Sequence, residues 1–431
     1  MNIRYNPIDR NLFIDNRKRL AAQLKKNAVA IIHSNDVYPK NGDGTHNFYQ
    51  NSDLFWLSGI DQEKSIVVIA PDAYKEGHRE MLFVLETNDE IAVWEGYKYT
   101  KEDARKISGI DTVYWTHEFD RVMQELLIRN EYIYINSNEN IRAGAETETR
   151  DARAYKSLKG KFPLHKYERL APLFDALRSV KHSIEVELLQ HACKITEDAF
   201  RRVLAFTKPG VYEYEIEAEI THEFIRQRSG GHAYQPIIAS GKNSCILHYN
   251  ANNQICKDGD IILFDWGAEY AHYVADMSRT IPVNGTFTPR QKEVYNAVLD
   301  TFYFAKALLV PGTIYAEYEK EIGQFMTSKL IDLKLISKQD VANQNPNWPA
   351  YKKYFMHGTS HFIGLDVHDV GNRDKPMQAG NLFSCEPGIY IPEENIGIRL
   401  ENNILLTKNG NIDLMENIPI QADEIESLMH S

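Results

Sequence analysis

Two apolar stretches of the chain carry acids at matching places. In IILFDWGAEYAHYVADMSRT, Asp265 closes a strand-like run and Asp276 lies inside a second run; in FSCEPGIYIPEENIGIRLENN, Glu386 and Glu401 flank the turn-like Pro392-Glu393-Glu394-Asn395. A turn centred on residues 270 and 271 sets the two aspartates directly opposite one another, and a turn centred on residues 393 and 394 does the same for the two glutamates. Opposed cross-strand partners share a sheet face, with Cβ atoms about 4.5–5.5 Å apart. A one-residue slip would send either partner to the other face.

Like charges opposed on a sheet destabilise it, and a partly buried set of carboxylates is forced to protonate unless something neutralises it. Two divalent cations would cancel four carboxylates. Solvated surface acids are the plainer alternative for any one of these residues, but not for Asp265, which follows the apolar ILF. An oxygen-rich site with one imidazole suits Mn²⁺ and similar ions better than a thiolate zinc site does. Two such ions about 3.5–4 Å apart can share a bridging hydroxide and polarise a carbonyl for hydrolysis.

Between the two acid pairs lies HGTSHFIGLDVHDVG, with His357, His361 and His368. His357 and His361 are spaced like the pair in a helical zinc-protease motif, but no Glu follows His357, and Gly358 and Gly364 flank the pair. Each histidine taken alone suits a hydrogen-bonded core or surface role; three of them between two carboxylate pairs point to a site. His248, in CILHYNANN, is a fourth candidate.

The elements that position these residues follow from length and pattern. With 431 residues the chain exceeds one ordinary core, so two domains are expected. The first 170 residues alternate β-branched runs such as VAIIHS and YIYINS with helix-like stretches, an α/β order, and residues 151–170 read as a linker. From residue 171 to 431 the pattern is α+β. A long helix begins near Ser183, expected as its cap, with an apolar stripe through Leu188, Ala192, Ile195, Ala199 and Val203. A second helix covers residues 213–228, further helices fall near 289–309 and 315–332, and residues 333–354 read as a surface insertion. A net charge of −11 argues against nucleic acid and anionic membranes as partners. With no signal-like or membrane-spanning apolar stretch and four scattered cysteines, the expectation is a cytoplasmic protein with reduced thiols.

From Leu170 to the end, the chain resembles the aminopeptidase P and prolidase group of metallopeptidases, through ILHY, HGTSHFIGLDVHDVG, EPGIY and GIRLE. FYQNSDLFWLSGI and the VWEG stretch at 93–96 extend the resemblance to the aminopeptidase P N-terminal domain. Trp266 and Asn402-Asn403 depart from the usual Ala and Asp, without removing a ligand position. The resemblance implies an α+β pita-bread catalytic domain preceded by a smaller α/β domain, and two divalent ions, Mn²⁺ first, with Zn²⁺, Co²⁺ or Fe²⁺ as alternatives. It implies Asp265, Asp276, His361, Glu386 and Glu401 as ligands, with Asp276 and Glu401 bridging and Glu386 also taking the proton of the bridging water. His368 would be an oxyanion donor, His248 would lie near the scissile group and His357 beside a proline pocket. Tyr390 would sit near the intermediate, Arg399 would anchor a ligand carboxylate, and Trp94 could border a neighbouring subunit's site. The implied activity is removal of the first residue from peptides with proline second. Prolidase action on Xaa-Pro dipeptides and a non-catalytic peptide-binding module are the rivals. A homodimer, or a tetramer, is implied as well.

Overall fold

In the computed structural model, which describes residues 4–144 and 146–431, the β-branched runs of the first part pair into one sheet. Its strands are Ala28–His33 (β1), Ile66–Ile69 (β2), Glu80–Val84 (β3), Thr112–Trp115 (β4), Tyr132–Ile135 (β5) and Lys166–Arg169 (β6), in the order β4-β3-β2-β1-β5-β6. β1 runs antiparallel to β2 and parallel to β5, so the sheet is mixed. Val29, Ile31, Val68, Phe83 and Ile133 pack on one face against Leu126, Leu127 and Leu158 of the covering helices.

Residues 151–170 are not a linker. Thr149 caps a helix, Arg150–Lys161, by accepting from the Ala152 amide, and the KYER that follows is β6, parallel to β5. The Lys/Arg-rich run is the solvated side of that helix, a pattern that composition alone does not separate from a loop. Two units, Met1–Arg178 and Ser179–Ser431, divide the chain. The division falls after the helix Ala171–Arg178 and not at the expected 170/171, because Phe174 packs edge-on against Trp56 and Arg178 pairs with Asp53 at 2.7 Å.

The second unit is α+β. Its long helix, Ser183–Phe206, is capped one residue earlier than expected: His182 Nδ1 accepts from the Ile184 amide, and Glu185 returns a bond to the His182 amide. The buried stripe starts at Leu189 and continues through Ala192, Ile195, Ala199 and Val203. The helices Glu213–Arg226, Pro289–Leu308 and Tyr315–Asp332 occupy the stretches read as helical. Residues 333–354 carry two short helical pieces, Lys338–Ala342 and Ala350–Lys353, with mostly exposed side chains.

The strands are Gly231–His232 (β7), Ile237–Ser240 (β8), Ile261–Asp265 (β9), Ala268–Tyr270 (β10), Tyr273–Val274 (β11) and Ser278–Pro282 (β12), then Leu382–Cys385 (β13), Gly388–Ile391 (β14), Ile396–Arg399 (β15), Asn402–Thr407 (β16) and Gly410–Asp413 (β17). They form small antiparallel sheets, of which β12-β9-β8 and the β14-β15 pair lead into the acids.

Candidate metal centre

The aspartate hairpin differs from its expected register. The turn is Ala271-His272, both with positive φ (+53° and +67°), as the two-residue turns that match strand twist require. Asp265 therefore faces Ser278, two places beyond the expected Asp276. A shift by two keeps side-chain parity, so the aspartates remain on one face as diagonal neighbours. Asp276 lies in a break between β11 and β12, where a Cβ on Gly267 would come within 1.8 Å of the Ala275 carbonyl oxygen, an approach only glycine allows. The Asn403 side chain holds that break: Oδ1 accepts from the Asp276 amide (3.1 Å) and Nδ2 donates to the Asp276 carbonyl (2.7 Å). Tyr234 Oη joins the two aspartates, 2.7 Å from Asp265 Oδ1 and 2.5 Å from Asp276 Oδ1.

The glutamate hairpin has the expected register. Cys385 pairs with Asn402 and Gly388 with Arg399, so Glu386 and Glu401 face one another between them. Ser278 stitches the hairpins together: its carbonyl accepts from the Glu401 amide (3.0 Å) and its hydroxyl donates to Glu401 Oε2 (2.7 Å). Asp276, His361 and Glu401, all buried, bring one ligand atom each to within 4.8 Å of the others. Glu386 adjoins this cluster, with Oε1 3.4 Å from His361 Nε2.

The three histidines of the HGTSH segment separate. His361 Nδ1 donates to the Phe362 carbonyl (3.0 Å), which turns Nε2 toward Asp276 Oδ2 (3.3 Å) and Glu386 Oε1 (3.4 Å). His357 Nδ1 donates to the Gly358 carbonyl, while Nε2 accepts from the Tyr390 hydroxyl at 2.8 Å. Arg399 completes this chain, donating from Nη1 to Tyr390 Oη (2.8 Å), from Nε to Ser278 Oγ (2.8 Å) and from Nη2 to Asp265 Oδ2 (2.5 Å). His368 is exposed and sets its ring at 73° to that of His361, centroids 4.5 Å apart. His248, also exposed, lies near enough to His357 to lower its basicity. Trp94 is 89% exposed on the helix Asp89–Glu95 of the first unit.

Charge balance tests whether the site fits a cation. Burial pushes the Glu386 carboxyl up to about 7, against the pull of His361 and Arg399. Burial, with Asp276 and Glu386 close by, raises Glu401 well above the carboxylate range. Burial also raises Asp265, despite Arg399, whereas at Asp276 burial pushes upward but the contacts from His361, Tyr234 and His368 together hold the carboxylate below its usual value. Burial and Arg399 drop His357 to about 3, so it is a neutral imidazole. Four acids thus face one guanidinium and one imidazole. Glu401 Oε1 is buried without a hydrogen-bond partner, and the free face of His361 looks at two carboxylates from beyond good hydrogen-bond length. A buried carboxylate oxygen is seldom left unpaired, and an imidazole lone pair facing carboxylates is repelled unless a proton or cation lies between. The donor set therefore fits divalent cations bound by oxygen and one nitrogen.

Tyr234 and Ser278 carry no site signal in the sequence, and Asn403 shows there only as a departure beside Glu401, without its partner Asp276. None stands at a recognisable spacing, because each acts on a partner that only the fold brings near.

Buried acids from two hairpins, one inward imidazole and a separate α/β unit are what a two-domain metalloprotein with a carboxylate-rich centre presents. The profile of metallopeptidase family M24 matches residues 187–408, and that of the aminopeptidase P N-terminal domain matches residues 13–134. Xaa-Pro aminopeptidase of Escherichia coli is 32% identical over 98% of both chains, and that of Haemophilus influenzae 31% over 97% of both. The structure of zinc-substituted E. coli aminopeptidase P in complex with product has a TM-score of 0.88, with 30% identity over 99% of both chains. The chain belongs to metallopeptidase family M24, with the pita-bread catalytic domain preceded by an aminopeptidase P-type N-terminal domain. Membership implies divalent metal ions at the carboxylate cluster.

Proposed function

We propose that this metallopeptidase removes the N-terminal residue from peptides whose second residue is proline. The buried Asp276–His361–Glu401 cluster carries the reading, together with relatives that bear this activity in their names over nearly their whole length. Asp265, Asp276, His361, Glu386 and Glu401 would hold two divalent ions, and an oxygen-rich set with one imidazole favours Mn²⁺. When bound, the ions supply Lewis acidity, making a water acidic near neutral pH and polarising the peptide carbonyl.

The chain's own residues divide the remaining work. Glu386 takes the proton of the attacking water: its side chain is 20% exposed, against 6% for Asp276, while Asp265 is held by Arg399. His368, exposed and set against the ring of His361, donates to the oxyanion, where charge develops. A proline nitrogen carries no N–H, so shape must replace an amide contact. His357, edge-on to Phe355 at 4.9 Å and fixed by Tyr390, supplies one wall of that pocket, and His248, a neighbour of His357, would lie near the scissile group. Arg399 keeps Asp265 and Tyr390 in place.

An assay with added Mn²⁺ on an Xaa-Pro dipeptide, an Xaa-Pro tripeptide and an Xaa-Ala tripeptide tests this directly. Cleavage of the Xaa-Pro tripeptide alone, or well ahead of the dipeptide, supports it. Cleavage of the dipeptide alone would identify a prolidase, and no cleavage of any would identify a peptide-binding module. We further propose a homodimer or tetramer, supported by the exposed large apolar side chains of Val93, Trp94 and Tyr97, which association would cover. Light scattering reads this. A reducing, cytoplasmic setting is supported by four free cysteines, three of them buried; no described helix is long and apolar enough to cross a membrane.

A further inference from the structure

Lys181 and Asp369 form an ion pair that none of the roles above uses. Nζ lies 2.7 Å from Oδ2, and each side chain is only 1% exposed. A pair taken wholly out of water adds little net stability over an apolar pair, so the geometry it holds is where a role should be sought. Lys181 is fixed at both ends. Its amide donates to the Gly380 carbonyl (2.9 Å), and beside it Asn381 Nδ2 donates to the Ser179 carbonyl (2.9 Å), which straps residues 179–181 to the turn that opens β13. β13 leads directly to Glu386. At the other end the ammonium holds the residue after His368.

Asp369 also closes the turn from His361 to His368, because its amide donates to the Phe362 carbonyl (2.9 Å). Gly364 packs against the pair: a Cβ there would stand 2.0 Å from Asp369 Oδ2 and 2.5 Å from Lys181 Nζ. The turn is thus wound onto the ion pair, with the His368 ring on its outer side against His361. We infer that Lys181 and Asp369 are positioning residues, whose buried ion pair sets His368 against the carboxylate–His361 centre. The inference rests on the reading of His368 as a donor to the reacting carbonyl.

The test is a double-mutant cycle in the full chain. Lys181→Met/Asp369→Leu removes both charges together and should keep melting near that of the parent, as paired removal leaves no orphan ion. With Mn²⁺ content matched, kcat on an Xaa-Pro tripeptide should fall about a hundredfold with KM little changed, the cost of displacing a group that acts only in the transition state. In a His368→Ala background the same exchange should change kcat less than about threefold, since coupled residues are not additive. An unchanged kcat in the first background, or equal losses in both, overturns the proposal and leaves the pair a fold element. If the double variant does not fold, Asp369→Asn, which keeps the shape and an acceptor for the ammonium, enters the same two backgrounds. Carbon-13 histidine spectra give a readout apart from turnover: the His368 ring signal should shift and broaden in either variant while that of His33 stays put, and an unmoved His368 signal overturns the proposal. Should the parent cleave no Xaa-Pro peptide, the functional reading fails, and the spectra still decide whether the pair places His368.

Discussion

The aspartate and glutamate hairpins each carry two acids to one face, and each keeps a single register through a break at those acids. They differ in turn and in what holds the break. The glutamate hairpin turns on Pro392 to Asn395, with Asn395 in the left-handed region, and backbone bonds fix its acids: the Glu386 amide to the Thr359 carbonyl, the Glu401 amide to that of Ser278. The aspartate hairpin turns on Ala271-His272, and a side chain, Asn403, makes both backbone bonds of Asp276. One pair of acids is thus placed by main chain and the other by an amide from the opposite hairpin. The functional contrast follows: Asp276 sits deep and clamped, while Glu386 keeps an open side from which to handle a proton.

Substitution at Glu386 should break this contrast most severely. Glu386→Gln keeps the shape and removes the base, so kcat on an Xaa-Pro tripeptide should fall by about 10²–10⁴-fold, the range of general-base contributions. Full activity in that variant would refute the assignment. The clamp on the other hairpin predicts a smaller effect of a different kind. Asn403→Leu leaves the Asp276 N–H and C=O without their partners, and affinity for Mn²⁺ by calorimetry should weaken about 10–100-fold, as for other supports of metal ligands. Unchanged affinity would show that the strands hold Asp276 without the amide.

The same contrast explains what the sequence discloses. Pro392 and Asn395 mark their turn, because proline presets φ and asparagine tolerates the left-handed region, so the facing of Glu386 and Glu401 is readable in advance. Ala271-His272 carries no such mark, and the apolar pattern centres the turn one residue early. That error moved every partner by two and spared the face, which is why Asp265 and Asp276 still come together. Helix positions follow from apolar period, whereas the basic helix at 150–161 reads as a linker because its solvated side dominates its composition. The role of Asn403, though its departure from Asp is visible, stays hidden for another reason: it reaches Asp276 across 127 residues, and no local pattern encodes that contact.

The turns themselves give the smallest and most discriminating effects. Asn395 is exposed with φ +55°, so Asn395→Ala should destabilise the second unit by about 1 kcal/mol, the lower end of the left-handed penalty for a residue with a Cβ. In a unit of this size that lowers the melting temperature by roughly 2–4 °C. At Ala271, already strained at φ +53° and 1% exposed, Ala271→Gly relieves a similar penalty. It also gives up a buried methyl, worth about 0.8 kcal/mol, and adds backbone freedom to the unfolded chain. These terms nearly cancel, so melting should stay within about 2 °C of the parent, or roughly 0.5 kcal/mol. A loss at Ala271 as large as that at Asn395 would mean that the alanine methyl, packed beneath the hairpin, fixes this turn more than backbone geometry does. The difference read from the two turns would then lie in packing.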